Sequence, residues 1–340
     1  MQNRKEFRDY DHSNSTVKHT YELMHKNQNC FFVREMKKQY TSPAGYTTKD
    51  GKKIQKHLIE VFDDLDKIID ESDPDNQLPQ IYHAYQTAKA LYNFLDPENP
   101  TQLKLIPIQS LFNDIEWQEL PENIKQKYSE ANYIHVLYPE IKNWSAWLEL
   151  TGFLHDIGKV MALEEYGGLP QWAVVGDTFP VGAPFSQSNV FAEEEFYKNN
   201  PDLNFPNQLD EEKKFGIYEK HCGFDNVDMS WGHDEYAYAV LKRTINCLPE
   251  LAFSLIRYHS FYAWHTPRNG VRGYQELASE LDWIRLPAGK LIREADLYSK
   301  KSELPDIHTL KSYYSDLINK LIPNTLDNET EISSPRPVLW

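Results

Sequence analysis

Residues 144–160, WSAWLELTGFLHDIGKV, constrain this chain more than any other stretch. Trp144, Trp147, Leu148, Thr151, Leu154, His155 and Gly158 recur at steps of three and four, which predicts a helix carrying them on one stripe. The adjacent pair His155–Asp156 then lies at or beside the buried face. Burying both groups is costly unless each is bonded to something. A metal ion is one answer, because imidazole and carboxylate are both ligands and the ion removes the charge penalty. A hydrogen-bonded core histidine is the other, and for an isolated pair it is the more ordinary one. The rest of the chain must supply further ligands if the first answer is to hold.

The 340 residues suffice for a large core in one big domain or two smaller ones. A formal charge of −15 with no basic run argues against nucleic acid or an anionic membrane surface as partner. No apolar run approaches the roughly 20 residues that span a bilayer. The polar start MQNRKEFRDYDHSNS offers no secretory signal. Cys30, Cys222 and Cys247 are odd in number and widely spaced, so they read as free thiols of a reducing cytoplasm. With no GxGxxG after a strand and no P-loop, no organic cofactor is indicated, and no protein partner is evident.

Apolar periodicity predicts helices over about 20–40, 54–69, 80–95, 144–160, 188–199, 230–249, 249–265, 287–301 and 307–322. Ser230 is placed to cap the helix that carries His233. Residues 96–143, rich in proline and acidic side chains, read as a long connection with one or two short helices, and 161–190 as loop. No βαβ alternation is visible, so the chain reads as nearly all α. His259 lies four residues after Leu255, Asp296 four after Ile292 and His155 four after Thr151, each on the core side of its helix. His83 sits beside an apolar stripe, and His233 in a first turn. Singly, each is as readily a core or cap residue; together they form a constellation of ligand types on five helices. Lys159 stands four after His155, and Lys300 four after Asp296, so each shares a face with one of these groups.

In chain order, His83, His155–Asp156, His233, His259 and Asp296 match the ligands of HD-domain metalloproteins, whose HDIGK motif is common to phosphohydrolases and oxygenases. Longer segments separate the two: PQIYHAYQTAKA, GFLHDIGKVMAL, LPQWAVVGDTFPVGAPF, CGFDNVDMSWGHDEY, IRYHSFYAWH and READLYSK resemble the myo-inositol oxygenase family. FRDY at 7–10 and DESDPD at 70–75 resemble its N-terminal pieces, so the resemblance spans nearly the whole chain.

The resemblance implies an all-α HD-domain helical bundle with a buried di-metal site between helices. His83, His155, Asp156 and Asp296 would hold one iron, His233 and His259 the other, and Asp156 would bridge. It implies an Fe(II)/Fe(III) pair and O2 as co-substrate, cleaving myo-inositol between C1 and C6 to D-glucuronate and water. Asp156 and Lys159 would be catalytic. Arg8, Asp70, Ser72, Lys159, Gly176, Asp177, Ser260 and Lys300 would contact this small polyol. The expected layout is an arm at 1–30 covering the active site, a single catalytic domain at 31–320 and a tail at 321–340. Residues 96–143 are an insertion relative to the family pattern. Three rivals remain: an HD phosphohydrolase, an HD di-iron oxygenase for another substrate, and a helical binding module with a structural metal.

Overall fold

The computed structural model describes residues 10, 13–42, 45–48, 50–74, 78–204, 215–245, 247–268, 271–298, 306–322 and 338–340; Arg8 and Lys300 lie outside these. The segment read as one helix over 20–40 is two, α1 (Ser15–Asn27) and α2 (Cys30–Tyr40). Asn29 makes the break. Its side chain accepts the Phe31 and Phe32 N–H groups, each at 3.1 Å, an N-cap that a continuous helix has no use for. Gln28 stands extended at the corner, and its amide exchanges hydrogen bonds of 2.6 and 2.8 Å with the backbone of Trp231.

A two-residue strand β1 (Gln55–Lys56) precedes α3 (Leu58–Leu65) and α4 (Gln80–Tyr92). Residues 96–143 hold α5 (Asp114–Glu119), α6 (Glu122–Ala131) and α7 (Ile134–Leu137). Then come α8 (Leu148–Leu154), α9 (His233–Thr244), α10 (Glu250–Tyr258), α11 (Tyr262–His265), α12 (Glu280–Tyr298) and α13 (Ile307–Leu321). A second strand, β2 (Val338–Leu339), pairs antiparallel with β1. Residues 188–199 form short 3-10 runs, Ala192–Glu194 and Phe196–Asn199, separated by Glu195 at φ 55°. α12 starts earlier than Pro287 suggests. Ser279 and Asp282 cap it reciprocally, with Ser279 N–H on Asp282 Oδ2 at 2.8 Å and Asp282 N–H on Ser279 Oγ at 3.4 Å.

The centre of the molecule is α8 packed on α4, with α12 and α10 against the pair. Gly152 permits the closest approach: a Cβ there would stand 3.0 Å from Ala88 Cα. Phe153 stacks between Phe62 and Tyr314, with ring centroids 3.6 and 4.2 Å away, tying α3 and α13 to α8. Residues of 96–143 pack on the first half of α12, where Tyr138 donates to Ile284 O at 3.0 Å and Tyr128 to Trp283 O. Lys290 of α12 reaches back to Glu116 of α5 at 2.6 Å. Buried apolar residues from Val17 to Trp340 form one contiguous core. No helix among the described residues is long and apolar enough to cross a membrane.

His25 of α1 is fully buried among Tyr21, Phe179, Phe185 and Phe196, and neither ring nitrogen has a hydrogen-bond partner. Burial lowers its imidazole from 6.5 to about 3. The unfolded chain therefore takes up this proton first as the pH falls, so stability is lost progressively from about pH 6.5 downward. Thermal melting tests this. Between about pH 7 and pH 5 the melting temperature of His25→Leu should fall less than that of the parent. Parallel declines would mean that His25 does not carry the acid sensitivity.

Candidate metal centre

The helix read over 144–160 ends early. After Leu154, His155 is still helical, Asp156 turns to φ −99° and ψ 3°, and residues Ile157–Ala162 continue as a tighter 3-10 run. The turn matters because a helix end leaves carbonyls without an internal partner. His155 Nδ1 takes one of them, Gly152 O, at 2.7 Å. His259 repeats the device just past the end of α10, with Nδ1 on Ile256 O at 2.8 Å. His233 opens α9 after Gly232 rather than behind a Ser230 cap, and its Nδ1 meets Val174 O at 2.7 Å. Ser230 instead accepts Phe179 N–H at 3.1 Å. A carbonyl only accepts, so each Nδ1 carries a proton, which leaves each Nε2, turned inward, able to present a lone pair.

Those lone pairs converge on two carboxylates. Asp156 Oδ2 lies 3.3 Å from His155 Nε2 and 3.5 Å from His83 Nε2. Asp156 Oδ1 lies 3.2 Å from His233 Nε2 and 3.4 Å from His259 Nε2. Asp296 Oδ1, from α12, stands 2.7 Å from His83 Nε2 and 3.9 Å from His155 Nε2. None of the six residues is more than 3% exposed. His155 Nε2 has no hydrogen-bond partner, and the Nε2 atoms of His233 and His259 face each other at 3.1 Å. Two lone pairs that close repel unless a cation or a shared proton lies between them. Ligand atoms about 2.1 Å from one metal in adjacent positions stand about 3 Å apart, which is the spacing seen here. The donor set therefore fits metal ions.

Lys159 is buried against this centre and donates at 2.8 Å to each of Asp156 Oδ2, Asp70 Oδ2 and Gln80 Oε1. Burial opposes its charge, yet Asp156 and Asp70 hold the ammonium well above the usual lysine range. Burial likewise opposes ionisation of Asp156, but His155 and Lys159 hold its carboxyl well below the usual carboxylate range. Ser72 donates from both N–H and Oγ to Asp70 Oδ1, at 2.8 and 2.6 Å.

A small cavity opens on the centre. His83, Asp156, His233, His259 and Asp296 line it, with Asp70, Ser72, Lys159, Gly176 and Ser260 around them. His155 stands behind the wall. Ser260 Oγ is 3.4 Å from His233 Nε2. Asp177 is not in the wall: it is buried, and its Oδ2 accepts Val190 N–H at 3.4 Å. Sequence reasoning missed Gln80 and Tyr262. Gln80 lies one helical turn before His83, a spacing that places it on the same face. Tyr262 lines the cavity and donates to Asp296 Oδ2 at 3.5 Å, but it comes from α11, which no periodicity announces.

Fold and site define the class: a helical protein built round buried groups of four histidines and three aspartates, Asp156, Asp234 and Asp296, that could hold metal ions. A sequence model of the myo-inositol oxygenase family matches residues 14–114 and 107–328. Inositol oxygenase of Homo sapiens is 39% identical over 307 residues, 90% of this chain and 85% of that protein. The Dictyostelium discoideum inositol oxygenase is 38% identical over 322 residues, 95% and 89% of the two chains. Inositol oxygenase 2 of Arabidopsis thaliana is 36% identical over 326 residues, 94% and 82%. The chain belongs to the myo-inositol oxygenase family.

Gly158 lets the 3-10 run lie on the start of α9. A Cβ there would stand 1.9 Å from His233 O and 2.7 Å from its carbonyl carbon, both backbone atoms that cannot rotate aside. Gly158→Ala should therefore cost about 1–3 kcal/mol and lower bound metal with it. Melting temperature and metal content check this together, and a variant normal in both would refute the contact.

Proposed function

We propose that this chain is an inositol oxygenase that cleaves the C1–C6 bond of myo-inositol with O2, giving D-glucuronate and water. The observation that carries the reading is Asp156, whose two oxygens face two different histidine pairs in a chain of this family. In this reading His83, His155 and Asp296 would hold one iron and His233 and His259 the other, with Asp156 offering one oxygen to each. An Fe(II)/Fe(III) pair supplies what no side chain can, the one-electron chemistry that O2 requires.

The protein's own residues bind and orient. The backbone carbonyls on Nδ1 fix the orientation of the imidazoles and keep their Nε2 atoms turned inward. Lys159 has three donors and all three are engaged, so a substrate hydroxyl reaches it by displacing one acceptor. Asp70 and Ser72 sit on a loop that can make that exchange, and Gly176 and Ser260 complete the wall. Asp177 contributes by holding the 176–190 loop. Arg8 and Lys300 keep the substrate contacts that the resemblance implies. The enclosed cavity would shelter a reactive oxygen chemistry from bulk solvent.

The rival phosphohydrolase is disfavoured by charge. Among the described residues Lys159 is the one lysine or arginine in the cavity wall, and two carboxylates already hold it. A neutral polyol suits this wall better than a phosphate does. The cytoplasm is the compartment we assign, since Cys30, Cys222 and Cys247 are free thiols. The 31–320 span is taken as one catalytic unit, with 1–30 as cover and 321–340 as tail. Met24 of α1 lies against Gly176 of the wall, which supports a cover at 1–30.

Iron-loaded, partly reduced protein should consume O2 and form D-glucuronate from myo-inositol, and absence of glucuronate under air would sink the reading. Asp156→Asn should bind less than the full iron complement, as metal analysis will show. Lys159→Ala should keep its iron but raise KM about tenfold or more, the worth of a lost charged hydrogen bond; loss of iron instead would assign Lys159 to the metal.

A further inference from the structure

The His233–His259 pair is backed by a second cross-link that the site does not use. α9 and α10 form a hairpin, so the first turn of α9 lies beside the last turn of α10. Two residues into α9 from His233 is Glu235, and two residues back along α10 from His259 is Arg257. Two residues turn a helix by about 200°, which puts this pair on the side away from the metal centre. Arg257 Nε donates to Glu235 Oε2 at 2.6 Å, and Nη2 to Oε1 at 3.2 Å, a fork on a carboxylate with both residues 4% exposed. The remaining guanidinium donors go to Tyr258 OH at 2.7 Å, Phe224 O at 3.5 Å and Val227 O at 3.3 Å. Lys37 of α2 binds Glu235 Oε1 at 2.9 Å and Asp228 Oδ1 at 3.0 Å.

Stability does not explain this pair. A buried ion pair is commonly no better than apolar side chains of similar volume, and much of this hairpin is apolar, with Ala237, Val240, Leu241, Ala252 and Ile256 buried. What a fork supplies and apolar contacts do not is a fixed distance and direction. Apolar helices can slide by fractions of an ångström, and such a slide would change the 3.1 Å between the two Nε2 atoms directly.

We propose that Glu235 and Arg257 are positioning residues for the metal held by His233 and His259: their fork locks the register of α9 against α10. The proposal rests on the two-metal reading of the site. Its test uses full-length parent, E235M/R257M and R257K, stripped with chelator and titrated anaerobically with ferrous iron. The parent should take up two ions, and a parent that binds fewer overturns the two-metal reading and this inference with it. The double variant should melt within a few degrees of the parent. Its second ion should bind about tenfold or more weakly, while the ion on His83, His155 and Asp296 keeps its affinity. After loading, a limiting amount of a one-electron oxidant such as ferricyanide converts one ion of each pair to Fe(III), and the EPR signal of the coupled mixed-valent pair, which needs both ions, should fall in proportion. R257K keeps the charge but not the fork and should lie between the two. If the double variant fails to fold, the R257K titration decides. Folded variants that bind both ions as the parent does overturn the proposal.

Discussion

Asp156 is the constraint on which the arrangement depends. It is a buried carboxylate that divides its two oxygens between two pairs of imidazoles, and Lys159 adds one permanent positive charge. Such a cluster is stable only if every inward lone pair has something to bind. In three of the rings Nδ1 is already spent on a backbone carbonyl. The same bonds that orient the rings thus leave the Nε2 atoms for a cation.

Helix ends do most of this work. His155 and His259 each cap a C-terminus by taking a carbonyl three residues back, while His233 begins a helix. Placing ligands at ends rather than in mid-helix lets four elements point at one spot without their backbones colliding. Only glycine fits where they come closest, at 152 against α4 and at 158 against His233. α1 closes the same region from outside, with Met24 Sδ where a Cβ on Gly176 would be, at 2.6 Å.

The 96–143 segment stands apart from this centre. It packs on α12 as far as Lys290, short of Asp296, and none of its residues lines the cavity. Its buried polar anchor is Glu116, bound to Lys290. Glu235 and Arg257 differ in kind, since they sit directly behind His233 and His259 and join the two helices that carry them.

Much of this protein was legible in its residues. The three-and-four spacing placed His83, His155, His259 and Asp296 on core faces, and those faces are buried as expected. The long family motifs named the ligand set in order, and all six residues meet within one cluster. Periodicity erred at ends and corners. It ran α8 through the turn at Asp156, joined α1 to α2 across Asn29 and began α12 at Pro287 although Ser279 caps it. Capping is local chemistry and could have been read; the turn at Asp156 could not. Nor could Gln80 on Lys159, Tyr262 on Asp296, or the forked bond between Glu235 and Arg257. The sequence by itself determined which residues are ligand types and which faces are apolar, because both follow from side-chain chemistry and helical period. The tertiary structure decided which oxygen of Asp156 faces which histidines, because that depends on distances between segments far apart in the chain.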